Sequence, residues 1–402
     1  MSSCRICGSR EVTSLLDCGR QPICNRFLLR ADEPQALFPI ALEQCRRCAG
    51  VQLREPVPVD ELRPRFDWIS YNEPEGHLDR VVDALVALPG VSPASRIAGV
   101  TFKDDTTLDR FRARGFTSTY RIEPAADLGV CDPRSGIETL QAALTPERAR
   151  EIAHRHGPFD VVLARHIVEH AYDPGAFIAA LKSMLARGGW LVLEAPDCSR
   201  ALDALEYGTI WEEHILYLTQ GTFRQLLARN GLEIGHFSSW PYALEDCLVT
   251  ASREATPGAP SQAAQSPPDP DPDLERGARF GRSFGDAGVR LRACLDRARS
   301  EGREVAFFGA GHLTATVINL LGIGDRVRFV VDDNPNKRGL FMPGSRLPIV
   351  GSSELLASGI GLAVLCLSPE AEDKVIARNA AFVQAGGRFA SIFAGSPHFL
   401  GY

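Results

Sequence analysis

The sequence predicts an α/β protein in three parts: a small metal-stapled amino-terminal module and two larger domains in which strands and helices alternate. Three observations carry that prediction. Two Cys-x-x-Cys pairs stand within the first fifty residues; buried-strand runs in the middle and in the last third are each followed by helical periodicity; and a proline-rich segment separates those two regions. A chain of 402 residues is also too long for one ordinary hydrophobic core.

Bulk composition narrows the class. A hydrophobic share of 45%, a charged share of 23% and no apolar run of bilayer-spanning length predict a soluble globular protein without a membrane span. The start, Met1-Ser2-Ser3-Cys4-Arg5, lacks the basic opening and apolar block of a secretory signal, so a cytoplasmic protein is expected. Of eleven cysteines, Cys131, Cys198, Cys247, Cys294 and Cys366 are scattered singly, which argues for packing roles rather than a disulfide framework. A net charge of −6 with no lysine or arginine block argues against nucleic acid and for a small-molecule substrate. A monomer or a dimer is equally compatible with this composition.

The expected boundaries are a metal module over 1–60, a central domain over 61–254, a linker over 255–275 and a last domain over 276–402. The linker contains Thr256-Pro257-Gly258-Ala259-Pro260 and Ser266-Pro267-Pro268-Asp269-Pro270, which cannot bury apolar surface. In the first module, Cys4-Arg5-Ile6-Cys7 and Cys45-Arg46-Arg47-Cys48 have the spacing that lets two thiolates of one tight turn take two corners of a metal tetrahedron. Four such ligands predict a closed, structural zinc site held by Cys4, Cys7, Cys45 and Cys48. Cys18 and Cys24 lack a knuckle and are expected to pack.

In the central domain Phe159-Asp160-Val161-Val162-Leu163-Ala164 reads as a buried strand, followed by a polar loop through Glu169-His170 and Asp173-Pro174. Phe177, Ala180, Leu181, Met184 and Leu185 then recur at helical spacing, Gly188-Gly189 is expected to stop that helix, and Trp190 to Glu194 reads as another buried strand. An acidic strand start, a Glu-His loop, Gly-Gly and a strand ending in Glu-x-Pro resemble the middle of class I S-adenosylmethionine (SAM) methyltransferases. With Leu42 to Leu53 (Leu-x-x-Cys-x-x-Cys-Ala-Gly-Val-Gln-Leu) and Gly208-Thr209-Ile210-Trp211-Glu212-Glu213-His214-Ile215-Leu216-Tyr217, the chain resembles the nucleotide-sugar C-methyltransferases over nearly its whole length.

That resemblance implies an amino-terminal zinc module, a SAM-binding class I domain and a second Rossmann-like domain. It also implies methylation of carbon 3 of thymidine-diphosphate-linked keto-deoxysugars, the sugar nucleotide being the partner. Within the family's Tyr-His-Glu-His motif the last histidine is the base that forms an enolate, which maps onto His214, with Glu213 beside it and His170 as a helper. Glu123, closing Tyr120-Arg121-Ile122-Glu123, maps onto the carboxylate for the SAM ribose. Gly99, Asp104 and Arg165 complete the implied cofactor set; Tyr71, Trp211, Tyr217 and Asp332 are the implied substrate contacts.

The family's Glu-x-Gly-x-x-Asp-Gly turn is replaced by Ile97-Ala98-Gly99-Val100-Thr101-Phe102-Lys103, putting bulk and positive charge where glycine lets a backbone approach SAM. Trp211 and Glu212 replace Tyr-His, and the segment from Phe66 to His77 has the polar and aromatic density of a binding lid. In the last domain Val305 to Phe308 reads as a strand into Gly309-Ala310-Gly311, with a helix over Leu313 to Leu321 and a strand over Val327 to Val331 ending at Asp332. Alone, those glycines suggest NAD; the family carries a similar turn and an Asp-x-Asn-Pro-x-Lys segment, matched by Asp332 to Lys337, without NAD. An enzyme of this fold that isomerises or epimerises a sugar without methylating it, and a noncatalytic sugar-nucleotide binder, are the alternatives.

Overall fold

The computed structural model describes residues 3–69, 74–242, 245–255 and 270–402. The strands are β1 (Val12–Gln21), β2 (Phe38–Cys45), β3 (Val51–Leu53), β4 (Arg96–Gly99), β5 (Ser118–Arg121), β6 (Phe159–Arg165), β7 (Leu185–Asp197), β8 (Leu216–Tyr217), β9 (Leu232–Tyr242) and β10 (Glu245–Glu254). After them come β11 (Glu304–Phe308), β12 (Val330–Val331), β13 (Ile349–Val350), β14 (Ile360–Leu365) and β15 (Arg388–Ser391).

They form three sheets: β1-β2-β3-β8, β5-β4-β6-β7-β10-β9 and β13-β12-β11-β14-β15. The central sheet is parallel from β5 to β7, while β10 runs antiparallel to both β7 and β9. β6 reads as an unbroken apolar run because both faces are covered: Val161, Val162, Leu163 and Ala164 are each 0% exposed. The last sheet is wholly parallel. At the end of β11 Gly309 takes φ 105°, and a Cβ there would lie 2.9 Å from the Cys366 carbonyl, so the turn requires glycine.

Several expectations are corrected. The helix expected to stop at Gly188-Gly189 spans Pro174–Ser183, and both glycines lie inside β7, Gly188 at φ 77°. The last domain opens with a helix over Asp271–Ser300, starting inside the segment expected as linker. The strand expected over Val327 to Val331 is limited to Val330–Val331, its start being displaced by a 3₁₀ turn over Gly324–Arg326.

The modules are not separate beads. β8, from the central stretch of chain, pairs with β3 of the first module. One hydrophobic core contains Leu16, Phe27 and Leu42, then Tyr207 and Tyr217, then Phe280, Phe307 and Val364. Gly281, on the long helix, faces the Leu15 carbonyl so closely that a side chain there would collide with it, so the helix lies directly on β1. No described helix is long and apolar enough to cross a membrane.

Candidate active site

The strand order of the central sheet reverses between β4 and β6, which opens a cleft at their carboxyl ends. A cavity of about 610 Å³ lies there, walled by all three modules: Asn25 from the first, Lys103, His170 and His214 from the second, His312 and Phe393 from the third. β6 ends at Arg165, and His166 adopts φ 47°, a left-handed conformation costly for a side chain of its size. That turn sends the chain into a short 3₁₀ segment, Val168–His170, which presents Glu169 and His170 to the cavity.

The loop carrying Glu213 and His214 is tied to this segment, because the Ile215 N–H donates to the Glu169 carbonyl at 2.8 Å. The His170 and His214 rings meet edge to face, centroids 4.8 Å apart at 87°. Trp211 stacks on His312 at 4.1 Å and 8°, coupling the same loop to the third module. From the first module the Asn25 amide donates to the Glu213 carboxylate at 2.9 Å.

Burial sets the charge states. It drives the His214 imidazole well below its ordinary range, and His170 and His312 push the same way, so His214 is neutral near pH 7. Glu213 is driven well above the usual carboxylate range by burial, reinforced by Glu138 and Glu212. Farther along the wall, burial raises Glu206 and Glu245 to about 7.

Behind the wall lies a charged bracket. Glu194, 1% exposed, accepts from Arg165 at 2.9 and 3.2 Å and lies 2.8 Å from His166 Nε2 and 3.2 Å from His77 Nε2. Burial opposes its ionisation, but the Arg165 charge and the two imidazoles outweigh that and hold it well below the usual carboxylate range. Arg165 also donates to the Lys103 carbonyl at 2.5 Å, and so braces the residue that lines the cavity.

The cysteine module is compact. Cys4 and Cys48 sulfurs are 3.5 Å apart, those of Cys7 and Cys45 3.6 Å, and all four lie within 4.8 Å of one another. Tetrahedral Zn–S bonds of about 2.3 Å put sulfurs about 3.8 Å apart, so the four thiolates fit a closed structural zinc site. Cys18 and Cys24 lie outside the cluster; Cys24 is buried with its sulfur 3.2 Å from Thr316 Oγ1.

Other predicted residues have different fates. Tyr71 lies outside the described residues. Trp211 lines the cavity. Tyr217 does not: it is 1% exposed and its hydroxyl bonds the Trp211 backbone at 3.0 and 3.1 Å, so in place of the expected substrate contact it holds the loop that carries Glu213 and His214. Asp332 accepts from the Ala310 N–H at 3.0 Å and from Lys337 at 2.9 Å, which occupies its carboxylate within the turn rather than offering it to substrate. His77, from the expected lid, is turned inward to Glu194, while Phe66, Asp67, Ile69 and Pro74 of that segment line the cavity.

The cofactor set splits. Glu123 stands exposed past the end of β5, 3.6 Å from Arg121, available to ribose hydroxyls. Gly99, Asp104 and Arg165 are instead knitted together. Asp104, 0% exposed, accepts from the N–H groups of Val100 at 2.8 Å, Thr101 at 2.9 Å and Arg165 at 3.1 Å, and its Cβ fills the space beside Gly99. These contacts brace the turn at the place where direct contacts with SAM are expected. Of the groups on the cavity wall, the Glu169 carboxylate suits a sulfonium, whereas the Lys103 ammonium is the departure. Residues the sequence did not single out are Asn25, Glu138, His166, Glu169 and His312. Only Glu169 left a signal, as the neighbour of His170.

Comparison with known proteins matches three family profiles in series: a zinc binding domain over 4–62, a methyltransferase domain over 103–236 and a C-methyltransferase C-terminal domain over 273–393. Among curated relatives, C-methyltransferase NovU of Streptomyces niveus is 26% identical over 400 residues, covering 97% of this chain and 94% of that one. The ubiquinone biosynthesis O-methyltransferase of Caulobacter sp. strain K31 is 32% identical over 103 residues, 25% of this chain and 40% of that protein. A solved structure of magnesium protoporphyrin IX methyltransferase from Synechocystis PCC 6803 with bound S-adenosylhomocysteine (SAH) is 16% identical, covering 45% of this chain and 83% of that one, at a TM-score of 0.32.

The central sheet and the matched methyltransferase domain define a class I, SAM-dependent methyltransferase. With the zinc module before it and the matched C-methyltransferase C-terminal domain after it, the chain carries these three domains in series and is similar to the C-methyltransferase NovU over nearly its whole length.

Proposed function

We propose that this chain transfers a methyl group from SAM to a ring carbon of a nucleotide-linked keto-deoxysugar. The observation that carries the reading is the convergence of His214, Glu213 and His170 on one cavity walled by all three modules. About 610 Å³ is within the range of sites that enclose a substantial ligand. Lys103 and Arg134 on its wall suit a diphosphate.

A proton beside a ketone must leave before that carbon can attack. His214, neutral near pH 7, is the group to take it, with Glu213 beside it to orient the ring. SAM supplies, when bound, an electrophilic methyl group for the enolate carbon. The edge-to-face contact with His170 fixes the His214 ring, and the Trp211–His312 stack holds its loop against the third module.

A second reading is favoured by the Asp104-filled turn and by Lys103: proton abstraction without methyl transfer, giving an isomerase or epimerase. One experiment separates them. Zinc-loaded protein is incubated in D₂O with a thymidine-diphosphate-linked keto-deoxysugar, with and without SAM, and products are weighed by mass spectrometry. SAM-dependent gain of a methyl group, lost in His214→Ala, supports the first reading; deuterium uptake without methyl gain supports the second. No reaction, together with no binding of SAM or SAH to folded protein by titration calorimetry, sinks both.

A further inference from the structure

We infer that the cavity wall holds a divalent-cation site formed by Glu138, His170 and Glu213, separate from the cysteine cluster. One ligand-capable atom from each of these residues lies within 4.8 Å of the others. All three are nearly sealed from solvent, at 5%, 4% and 5% exposure, and all three line the cavity.

His170 supplies the observation that points to a ligand. Its Nδ1 is buried and makes no hydrogen bond, although Glu138 Oε1 is only 2.9 Å away. A ring nitrogen and a carboxylate oxygen at that separation, yet not aligned for a hydrogen bond, have the spacing of adjacent ligands on one octahedral ion: bonds of about 2.1 Å at right angles put donors about 3.0 Å apart. Glu213 adds a second carboxylate to the same point, and Asn25, donating to Oε1 of Glu213 at 2.9 Å, fixes its orientation.

On the other side of the ring, Glu169 Oε1 lies 4.0 Å from His170 Nε2, beyond hydrogen-bond distance. Two carboxylates packed this closely repel each other, and a divalent ion between them removes that repulsion. One imidazole and two carboxylates, with no thiolate, suit Mn²⁺, Fe²⁺ or Zn²⁺. Three protein ligands leave coordination positions open toward the cavity, for vicinal oxygens of a keto or hydroxy sugar. His214, next to the site, stays outside the ligand set. Whether the ion binds does not depend on whether methyl transfer occurs.

The test uses the full chain with its cysteine site loaded with zinc, in the absence of SAM and sugar. Mn²⁺ is titrated and the free ion followed by electron paramagnetic resonance, and zinc per chain is measured after equilibration with excess Zn²⁺. One Mn²⁺ per chain, or a second zinc, is expected in the wild type. Glu138→Gln and Glu213→Gln should each weaken binding at least tenfold, while Glu206→Gln, elsewhere on the wall, should leave it unchanged. Circular dichroism and retention of the first zinc establish that each variant is folded. Absence of both ions beyond the first zinc overturns the inference, as does binding equally retained in Glu138→Gln and Glu213→Gln.

Discussion

Glu194→Gln isolates the bracket that braces the active site from behind. The substitution keeps the side chain's volume and removes its charge. Arg165 and Glu194 side chains are 3% and 1% exposed, so the guanidinium is left in a water-free site with its main counter-charge gone. Removing one partner of a buried pair costs about 3–5 kcal/mol, because the remaining charge cannot recover its hydration. At about 2–4 °C per kcal/mol for a domain of this size, the melting temperature should fall by roughly 6–20 °C at pH 7.

The sign of the pH dependence follows from the direction of the shift. Glu194 is held well below its ordinary range in the folded protein, so its contribution is present above that range and fades as pH falls from it through the lower folded value. The deficit of the variant should therefore hold down to the ordinary carboxylate range and shrink only below it. Thermal unfolding of wild type, Glu194→Gln, Arg165→Gln and the double variant, followed by circular dichroism and tryptophan fluorescence, measures both the loss and the coupling between the partners. Additive losses, or a fall under 2 °C in Glu194→Gln, would refute the claim that the bracket is a cooperative unit.

Other consequences can be checked in parallel. Cys45→Ser should lower zinc to well under one ion per chain and lower the melting temperature, with early protease cleavage before residue 62, since the module depends on its metal; full zinc retention would contradict the four-thiolate site. Lys103→Met should improve SAM affinity relative to uncharged SAH by about tenfold, or 1.4 kcal/mol, the scale of one screened like-charge contact; titration calorimetry with both ligands decides it, and an unchanged ratio places the Lys103 ammonium away from the sulfonium. Glu245, raised to about 7 by burial, is favoured as the neutral acid in the fold, so it costs stability increasingly as pH rises toward 7. Glu245→Gln should accordingly gain on wild type in melting temperature between pH 5 and pH 8; a constant difference would show that the carboxylate is not held neutral.

What the sequence made legible was local. Cys4 to Cys7 and Cys45 to Cys48 each place two ligands within one turn, so their spacing alone carried the metal reading, whereas the reading of Glu213 and His214 rested on the resemblance of their loop to a family motif. The runs around β6 and β11 were legible because strands buried on both faces must be continuously apolar. Gly188-Gly189 misled because glycine marks helix ends and strand irregularities alike, and here a positive φ within β7 was the use made of it. Asn25, Glu138 and His312 could not be found by pattern, since each reaches the cavity from a different module and owes its role to tertiary placement.

The same distinction explains why the altered turn after β4 was readable as a departure but not as a structure. Losing glycines predicts a backbone that no longer approaches a ligand closely; it does not predict what takes the space. The occupant is Asp104, whose carboxylate collects three N–H groups and thereby ties β4 to Arg165 at the end of β6. Arg165 in turn holds the Lys103 carbonyl and the Glu194 hub. The turn at which the resemblance implies a close approach to SAM is thus part of an internal network, and Lys103 is presented to the cavity by that network. Specificity changes should therefore come more readily from Lys103 itself than from Asp104 or Arg165, whose replacement dismantles the support along with the contact.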